Sequence, residues 1–207
     1  MKLIHCADIH LDSPMQTHMT AQQASVRNTE MLQSFVRLTE FAQERAVRAV
    51  LIAGDLFDGA RVRARTVDAL LAAIRRTPEV DYLYLPGNHD EAANAFCDCA
   101  LPENLKVFGK KWTTYRYDGI AISGAQLGLD AAFYEALPHT DGAVNLVMLH
   151  GGIGTACGED MINLNLLKNR GIDYLALGHI HSYQTGPLDE TGSYCYCLLY
   201  TSPSPRD

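Results

Sequence analysis

The chain has 207 residues, 47% of them hydrophobic and 20% charged, and carries a net charge of -7. This suits one well-buried domain and excludes a disordered chain. No apolar run reaches a membrane span, the first residues lack the apolar stretch and cleavage site of a signal peptide, and no broad basic face is evident, so a cytoplasmic protein without a membrane partner is expected.

Strands and helices alternate through the first half. Leu3–Cys6 reads as a strand, and apolar positions at Leu32, Phe35, Val36, Leu38, Phe41 and Ala42 predict a helix from near Ser25 to Val47. Val50–Ile52 is a buried strand. Val67, Leu70, Leu71 and Ile74 mark a second helix that stops before Pro78, and Tyr82–Leu85 is a third strand, closed by Pro86-Gly87. The middle changes to hairpins. Trp112–Tyr117 and Ile120–Ser123 flank Asp118-Gly119, a strong turn signal. Val144–Leu149 is a buried strand, and a helix is expected over Met161–Asn169 with Gly171 as its cap. Tyr174–Leu177 is another strand. Tyr183–Pro187 and Ser193–Cys197 flank a turn at residues 189–192. This order predicts an α/β domain with stacked sheets over residues 1–197. Residues 198–207 break the pattern and resemble a translated sequencing adapter, a non-native tail.

The chemistry concentrates in five clusters, each just after a predicted strand: Asp8-x-His10, Gly54-Asp55-Leu56-Phe57-Asp58, Gly87-Asn88-His89-Asp90, His150-Gly151-Gly152 and Gly178-His179-Ile180-His181. Five of the eight histidines fall in them. A strand-end Asp-x-His puts two side chains on one side of an extended segment, and ligands after separate strands converge at the rim of a sheet. A mix of imidazole, carboxylate and amide suits manganese, iron or zinc better than magnesium or calcium. The count fits two ions. Asp8, His10, Asp55 and His181 could hold the first; Asp55, Asn88, His150 and His179 the second, with Asp55 giving one oxygen to each. Two ions about 3.5–4 Å apart clamp a phosphoryl group and activate a nucleophilic water. The acidic balance is expected where carboxylates serve cations.

His89 is left over beside the ions, where an imidazole can protonate a leaving oxygen, and Asp90 is read as orienting it. Asp58 either touches the first site through water or caps its loop. Gly54, Gly87, Gly151 and Gly178 are read as strand-exit turns. Other features have blander readings: His5 a partnered core residue, His18 and His139 solvated, Asp12 a turn cap, and Arg61, Arg63 and Arg65 either a solvated helix start or phosphate contacts. The six cysteines, including Cys97, lack zinc spacing and read as reduced thiols.

In this order and spacing the five clusters resemble the calcineurin-like metallophosphoesterases. The extended Ala7-Asp8-Ile9-His10-Leu11-Asp12-Ser13-Pro14 segment is similar to the SbcD-type DNA repair nucleases, in their YhaO-like branch. The resemblance implies a four-layer α/β/β/α fold, a β-sandwich flanked by helices. It also implies two manganese ions on the residues above, DNA phosphodiester hydrolysis, His89 as the catalytic histidine, and dimers that work with an SMC-like ATPase. Such relatives continue into a capping domain and an ATPase-binding segment, both expected to be missing here. Two other readings remain: a phosphatase or cyclic-nucleotide phosphodiesterase on the same scaffold, or a non-catalytic module held together by its metals.

Overall fold

The computed structural model describes residues 1–14, 20–58, 62–90, 96, 99–128, 130–158 and 160–197. The expectations for His18, Arg61, Cys97 and residues 198–207 lie outside these.

Strands β1 (Leu3–Cys6), β2 (Ala49–Ala53), β3 (Asp81–Leu85) and β4 (Leu105–Val107) form a parallel sheet in that order. Every residue of β2 is buried. Alternation sorts its side chains: Val50 and Ile52 face the helices, whereas Ala49, Leu51 and Ala53 face a second sheet. A continuous apolar run is what a strand covered on both faces requires. Helices α1 (Ala21–Glu44) and α2 (Ala64–Arg75) cover the outer face through Met31, Phe35, Ala42, Val67, Leu70, Leu71 and Ile74. Helix α1 starts ahead of the expected Ser25 because Thr20 and Gln23 form a reciprocal cap. The Thr20 hydroxyl accepts from the Gln23 N–H at 3.3 Å, and the Gln23 side chain accepts from the Thr20 N–H at 2.8 Å.

The chain continues through β5 (Thr113–Tyr117), β6 (Ile120–Gly124), α3 (Ala131–Glu135), β7 (Val144–His150), β8 (Gly152–Gly154), β9 (Met161–Asn163), β10 (Tyr174–Gly178), β11 (Gln184–Pro187) and β12 (Ser193–Tyr196). Six of these strands make a mixed sheet, ordered β11-β12-β10-β7-β6-β5. Both predicted hairpins are present, β5–β6 and β11–β12. Leu146, Met148, Ala176, Ile122 and Phe108 pack between the two sheets, against Leu51, Leu83 and Leu85. On the far face Val147, Leu149, Leu175 and Leu177 meet Tyr134 of α3, with Ile162 and Leu167. The four layers expected of the sandwich are there, and the fourth is thin: α3, a 3-10 turn at Leu164–Leu166 and the two-stranded β8–β9 ribbon.

That thin layer replaces the helix expected over Met161–Asn169. Residues 161–163 pair in parallel with Gly152–Gly154. The Asn163 side chain accepts from the Asn165 N–H at 3.1 Å, while the Asn163 N–H donates to the Tyr134 hydroxyl at 3.1 Å. A side chain that bonds its own backbone competes with helix formation, and the apolar spacing of this segment alone gave no warning of it. Cys6, Cys99, Cys157, Cys195 and Cys197 are free thiols, and among the described residues no helix is long and apolar enough to cross a membrane.

Candidate metal centre

All five clusters lie at the C-terminal ends of parallel strands, and they come from both sheets. Asp8 and His10 follow β1, Asp55 and Asp58 follow β2, and Asn88, His89 and Asp90 follow β3; His150 ends β7, and His179 and His181 follow β10. The site therefore straddles the two sheets rather than sitting on the rim of one. Hydrogen bonds from both histidine clusters of the second sheet sew them together. The His179 N–H donates to both Asp8 carboxylate oxygens, at 2.9 and 3.1 Å. His150 Nδ1 meets the Ala53 carbonyl at 3.0 Å. That contact fixes the ring and aims Nε2 at Asp55 Oδ2, 3.3 Å away, and at Asn88 Oδ1, 3.0 Å away.

The loops after β1 and β2 run together as a zipper. Asp8, His10 and Leu11 donate their N–H groups to the carbonyls of Gly54, Asp55 and Leu56, and Asp58 donates back to Leu11. The backbone here is not the extended segment expected from Asp-x-His. Asp8, His10, Asp12 and Asp55 have φ of 53°, 50°, 63° and 49°, and His179 has 102°. Aspartate and histidine tolerate the left-handed region better than most residues, but each such position still costs about 1–3 kcal/mol unless its surroundings hold it. Asp8 and His10 do share one side, by curling rather than by strand alternation.

Nearby glycines make the space. At Gly54, φ is +95° and an added Cβ would overlap the His150 ring. At Gly87 φ is not left-handed, so what calls for glycine there is space. A Cβ would lie 2.7 Å from the Asp55 nitrogen and 2.8 Å from His150 Nε2.

The side chains gather in two overlapping sets, Asp8 with His10 and His181, and Asp8 with Asp55 and His150. In each set one ligand atom per residue lies within 4.8 Å of the others. The Nε2 atoms of His10 and His181 face each other at 3.1 Å. Asp55 does not offer one oxygen to each side. Its Oδ2 lies 3.8 Å from His10 Nε2 and 3.3 Å from His150 Nε2, while Oδ1 accepts from the His89 N–H at 3.0 Å. His179 stacks edge-on against His150 at 5.3 Å between ring centroids.

The charge balance shows that this donor set suits a cation. Burial pushes Asp8 up to about 7. Burial also disfavours the charged forms of Asp55 and His150, but their mutual hydrogen bond and charge prevail, holding Asp55 near about 2 and raising His150 to about 9. Among the described residues no lysine or arginine pairs with Asp8 or Asp55. The positive charge there is a proton on an imidazole that is itself a ligand candidate. A cation would displace that proton and satisfy the facing nitrogens, so the residues fit divalent metals.

His89 stands beside the cluster as expected, but its partner and the place of Asp90 differ. His89 Nδ1 lies 3.2 Å from Asp58 Oδ1, and its ring packs edge-on against His10 at 5.5 Å. Asp90 instead clamps backbone, accepting from the N–H groups of Leu56, Phe57 and Gly87 at 3.1, 2.7 and 2.9 Å. The orienting carboxylate is thus Asp58, and Asp90 ties the loop after β3 to the loop after β2. Asp12 accepts from the Arg63 backbone and side chain and from the Thr66 hydroxyl at 3.0 Å, so it and Arg63 fasten α2 rather than offering a phosphate contact. His5 is partnered as expected, its Nδ1 2.9 Å from the Tyr174 hydroxyl. A cleft of about 420 Å³ opens beside Asn88 and His150, lined further by Gln126, Leu127 and Asp160. No motif marks those three in the sequence.

A family model for calcineurin-like phosphoesterases matches residues 1–183. The chain belongs to that family. It is 28% identical over 204 residues to an uncharacterized metallophosphoesterase, YhaO of Bacillus subtilis, covering 89% of this chain and 49% of that protein. It is 26% identical over 209 residues to the DNA double-strand break repair protein Mre11 of Methanopyrus kandleri, covering 87% and 44%. These homologues support the SbcD-type branch of the family, and the chain spans about half the length of the curated relatives it matches. Among solved structures, a dimetal phosphatase from Danio rerio superposes with a TM-score of 0.60 at 13% identity, covering 99% of this chain and 88% of its own. TT1561 of Thermus thermophilus gives 0.58 at 12%, covering 95% and 89%. Those two likenesses show the shared fold.

Proposed function

We propose that this domain hydrolyses phosphodiesters with a pair of divalent cations and that its substrate is DNA. The observation that carries the reading is the placement of His89. Its side chain is 24% exposed, its Nδ1 is fixed on Asp58, and its ring adjoins His10 at the cluster. A scaffold held together by metals has no use for an aimed imidazole at its open side.

Asp8, His10, Asp55 and His181 would hold one cation, and Asp55, Asn88, His150 and His179 the other. When bound, such a pair supplies Lewis acidity to the phosphoryl oxygens and activates water as the nucleophile. The ligand chemistry favours manganese, iron or zinc, and we take manganese. The chain's own residues do the rest. Asp58 holds the His89 ring through Nδ1, leaving Nε2 for the leaving oxygen. Water adds to phosphorus and gives up a proton to solvent, the bond to the leaving oxygen breaks, and that oxygen takes the Nε2 proton, which His89 regains from solvent. Asp90 keeps the His89 loop in register with the Asp55 loop.

DNA as substrate is supported by the Mre11 relatives, named as double-strand break repair proteins. With the resemblance noted for the sequence, it leads us to place a second copy of the chain and an SMC-like ATPase among the partners of the whole protein, in the cytoplasm. The test is hydrolysis of bis(p-nitrophenyl) phosphate with added manganese, then of the dinucleotide TpT beside His89→Gln, and of single-stranded and duplex oligonucleotides. We expect manganese-dependent turnover that extends to DNA and that, on TpT, falls at least about 100-fold in the variant. Turnover of phosphomonoesters or cyclic nucleotides in preference to DNA would overturn the substrate assignment, and equal activity in His89→Gln would overturn the mechanism.

A further inference from the structure

Ser13 has no role in any of the chemistry above, yet it is 3% exposed and its hydroxyl donates to Asp58 Oδ2 at 2.7 Å. The opposite oxygen of the same carboxylate faces His89 Nδ1 at 3.2 Å. The three side chains form a line, Ser13 to Asp58 to His89, with one carboxylate oxygen used at each step. Ser13 is itself held on two sides. Its N–H donates to the His10 carbonyl at 3.2 Å, and its own carbonyl accepts from the Asn28 side chain of α1 at 3.0 Å. The line therefore starts on a helix and on the ligand loop, and ends on an imidazole at the open side of the site.

The physical need is clear. The Asp58 side chain is 22% exposed, and an unrestrained carboxylate at a surface turns freely between water and its neighbours. A carboxylate that orients a histidine works only while its own orientation is fixed, and charge-assisted O–H···O⁻ bonds are short and strong. The Asp58 backbone is set by its N–H bond to the Leu11 carbonyl at 3.1 Å. Besides His89, Ser13 is the partner that its carboxylate bonds among the described residues.

We infer that Ser13 is a positioning residue for the reaction, locking the Asp58 carboxylate so that His89 presents Nε2 to the leaving oxygen. The inference rests on the proposed hydrolysis only for its kinetic consequence; the structural part can be read without turnover.

Two readouts test it, on the full chain with Ser13→Ala, Ser13→Thr and Ser13→Cys. The first is the nitrogen-15 spectrum of the histidine rings in metal-free protein, with the rings neutral at high pH. We expect His89 to hold its proton on Nδ1 in the wild type and in Ser13→Thr, and to shift toward the Nε2 form in Ser13→Ala. Should Ser13→Ala fail to fold, Ser13→Cys keeps the volume with a weaker donor and should show the same shift in part. An unchanged His89 ring in these variants would overturn the inference, whatever the activity.

The second readout compares two leaving groups at the same phosphorus, the alkoxide of the dinucleotide TpT and the p-nitrophenolate of thymidine 5′-(p-nitrophenyl phosphate). Only the alkoxide needs a proton from His89. The ratio of the TpT rate to the ester rate should fall about tenfold in Ser13→Ala and return in Ser13→Thr, as a change in kcat rather than KM. Equal losses on both substrates would mean a merely structural role and overturn the inference. A wild type that binds metal and hydrolyses neither substrate, while its ring spectrum responds to Ser13, would sink the proposed function and leave the Ser13–Asp58–His89 coupling standing.

Discussion

Gly87→Ala separates space from conformation at the site. Gly87 has no left-handed φ, so its backbone accepts alanine. On an unhindered surface the change would stabilise the protein by about 0.4–1 kcal/mol, through lost freedom in the unfolded chain. Here the new Cβ falls 2.7 Å from the Asp55 nitrogen and 2.8 Å from His150 Nε2, and closer still to Asp55 Oδ1. One of those atoms is backbone and the others belong to buried side chains, so none can swing away. Overpacking of this kind costs about 1–3 kcal/mol. The net loss should be about 1–2 kcal/mol, a Tm lower by about 2–8 °C for a chain of this size. The strain falls on the oxygen that holds the His89 N–H, so metal affinity and turnover should drop with stability. Gly109→Ala is the control. Nothing lies within 4 Å of its would-be Cβ, and it should stabilise by up to about 1 kcal/mol. Urea unfolding at matched pH, with manganese titration of each protein, reads all of this. A Gly87→Ala protein as stable and as tight for metal as the wild type would refute the packing argument.

Other changes separate roles that the sequence left merged. Asp90→Ala leaves three N–H groups without their acceptor and should cost about 2–3 kcal/mol, whereas His89→Gln should keep stability and lose turnover; paired melting curves and rates decide this. Burial lowers His5 to about 4 from its ordinary 6.5, so the unfolded chain takes up a proton there that the folded chain refuses. That part of the stability is complete above pH 6.5 and drains as pH falls toward 4, up to a ceiling of about 3 kcal/mol. His5→Phe should flatten this part of a stability-against-pH curve, and a curve parallel to the wild type would contradict it. Asp55→Asn should weaken both cations, because Oδ2 faces His10 and His150 alike, whereas His181→Ala should weaken one; metal counts on the purified variants tell them apart.

The strands and the five clusters were legible because their signals are local. The continuous apolar run of β2 and turn residues at Asp118-Gly119 need only neighbours in sequence to be read. Clusters that each follow a strand could be placed at one end of the fold without knowing which strands pair. What stayed hidden depends on partners far along the chain. In sequence Asp90 adjoins His89 and Asp58 lies in another cluster, which made Asp90 the natural partner. Only the folded zipper between residues 8–11 and 54–58 turns Asp58 toward the imidazole and Asp90 onto backbone. The left-handed turns at Asp8, His10, Asp55 and His179 are imposed by that zipper and by the second sheet, so strand geometry was the wrong guide to them. Residues 161–169 carry helical apolar spacing, yet pairing with Gly152–Gly154, the Asn163 side-chain cap and the bond from the Asn163 N–H to Tyr134 override it. Ser13 carried no signal, because its importance lies in a bond to a residue 45 positions away.

The most direct test of the account counts cations and turnover in one experiment. Wild-type protein, stripped of metal, is titrated with manganese while hydrolysis of the dinucleotide TpT is followed. The account predicts two equivalents bound, activity rising with occupancy of the second, and loss of that activity with both equivalents retained in His89→Gln. A single equivalent with full activity, or two equivalents with none in the wild type, would contradict it.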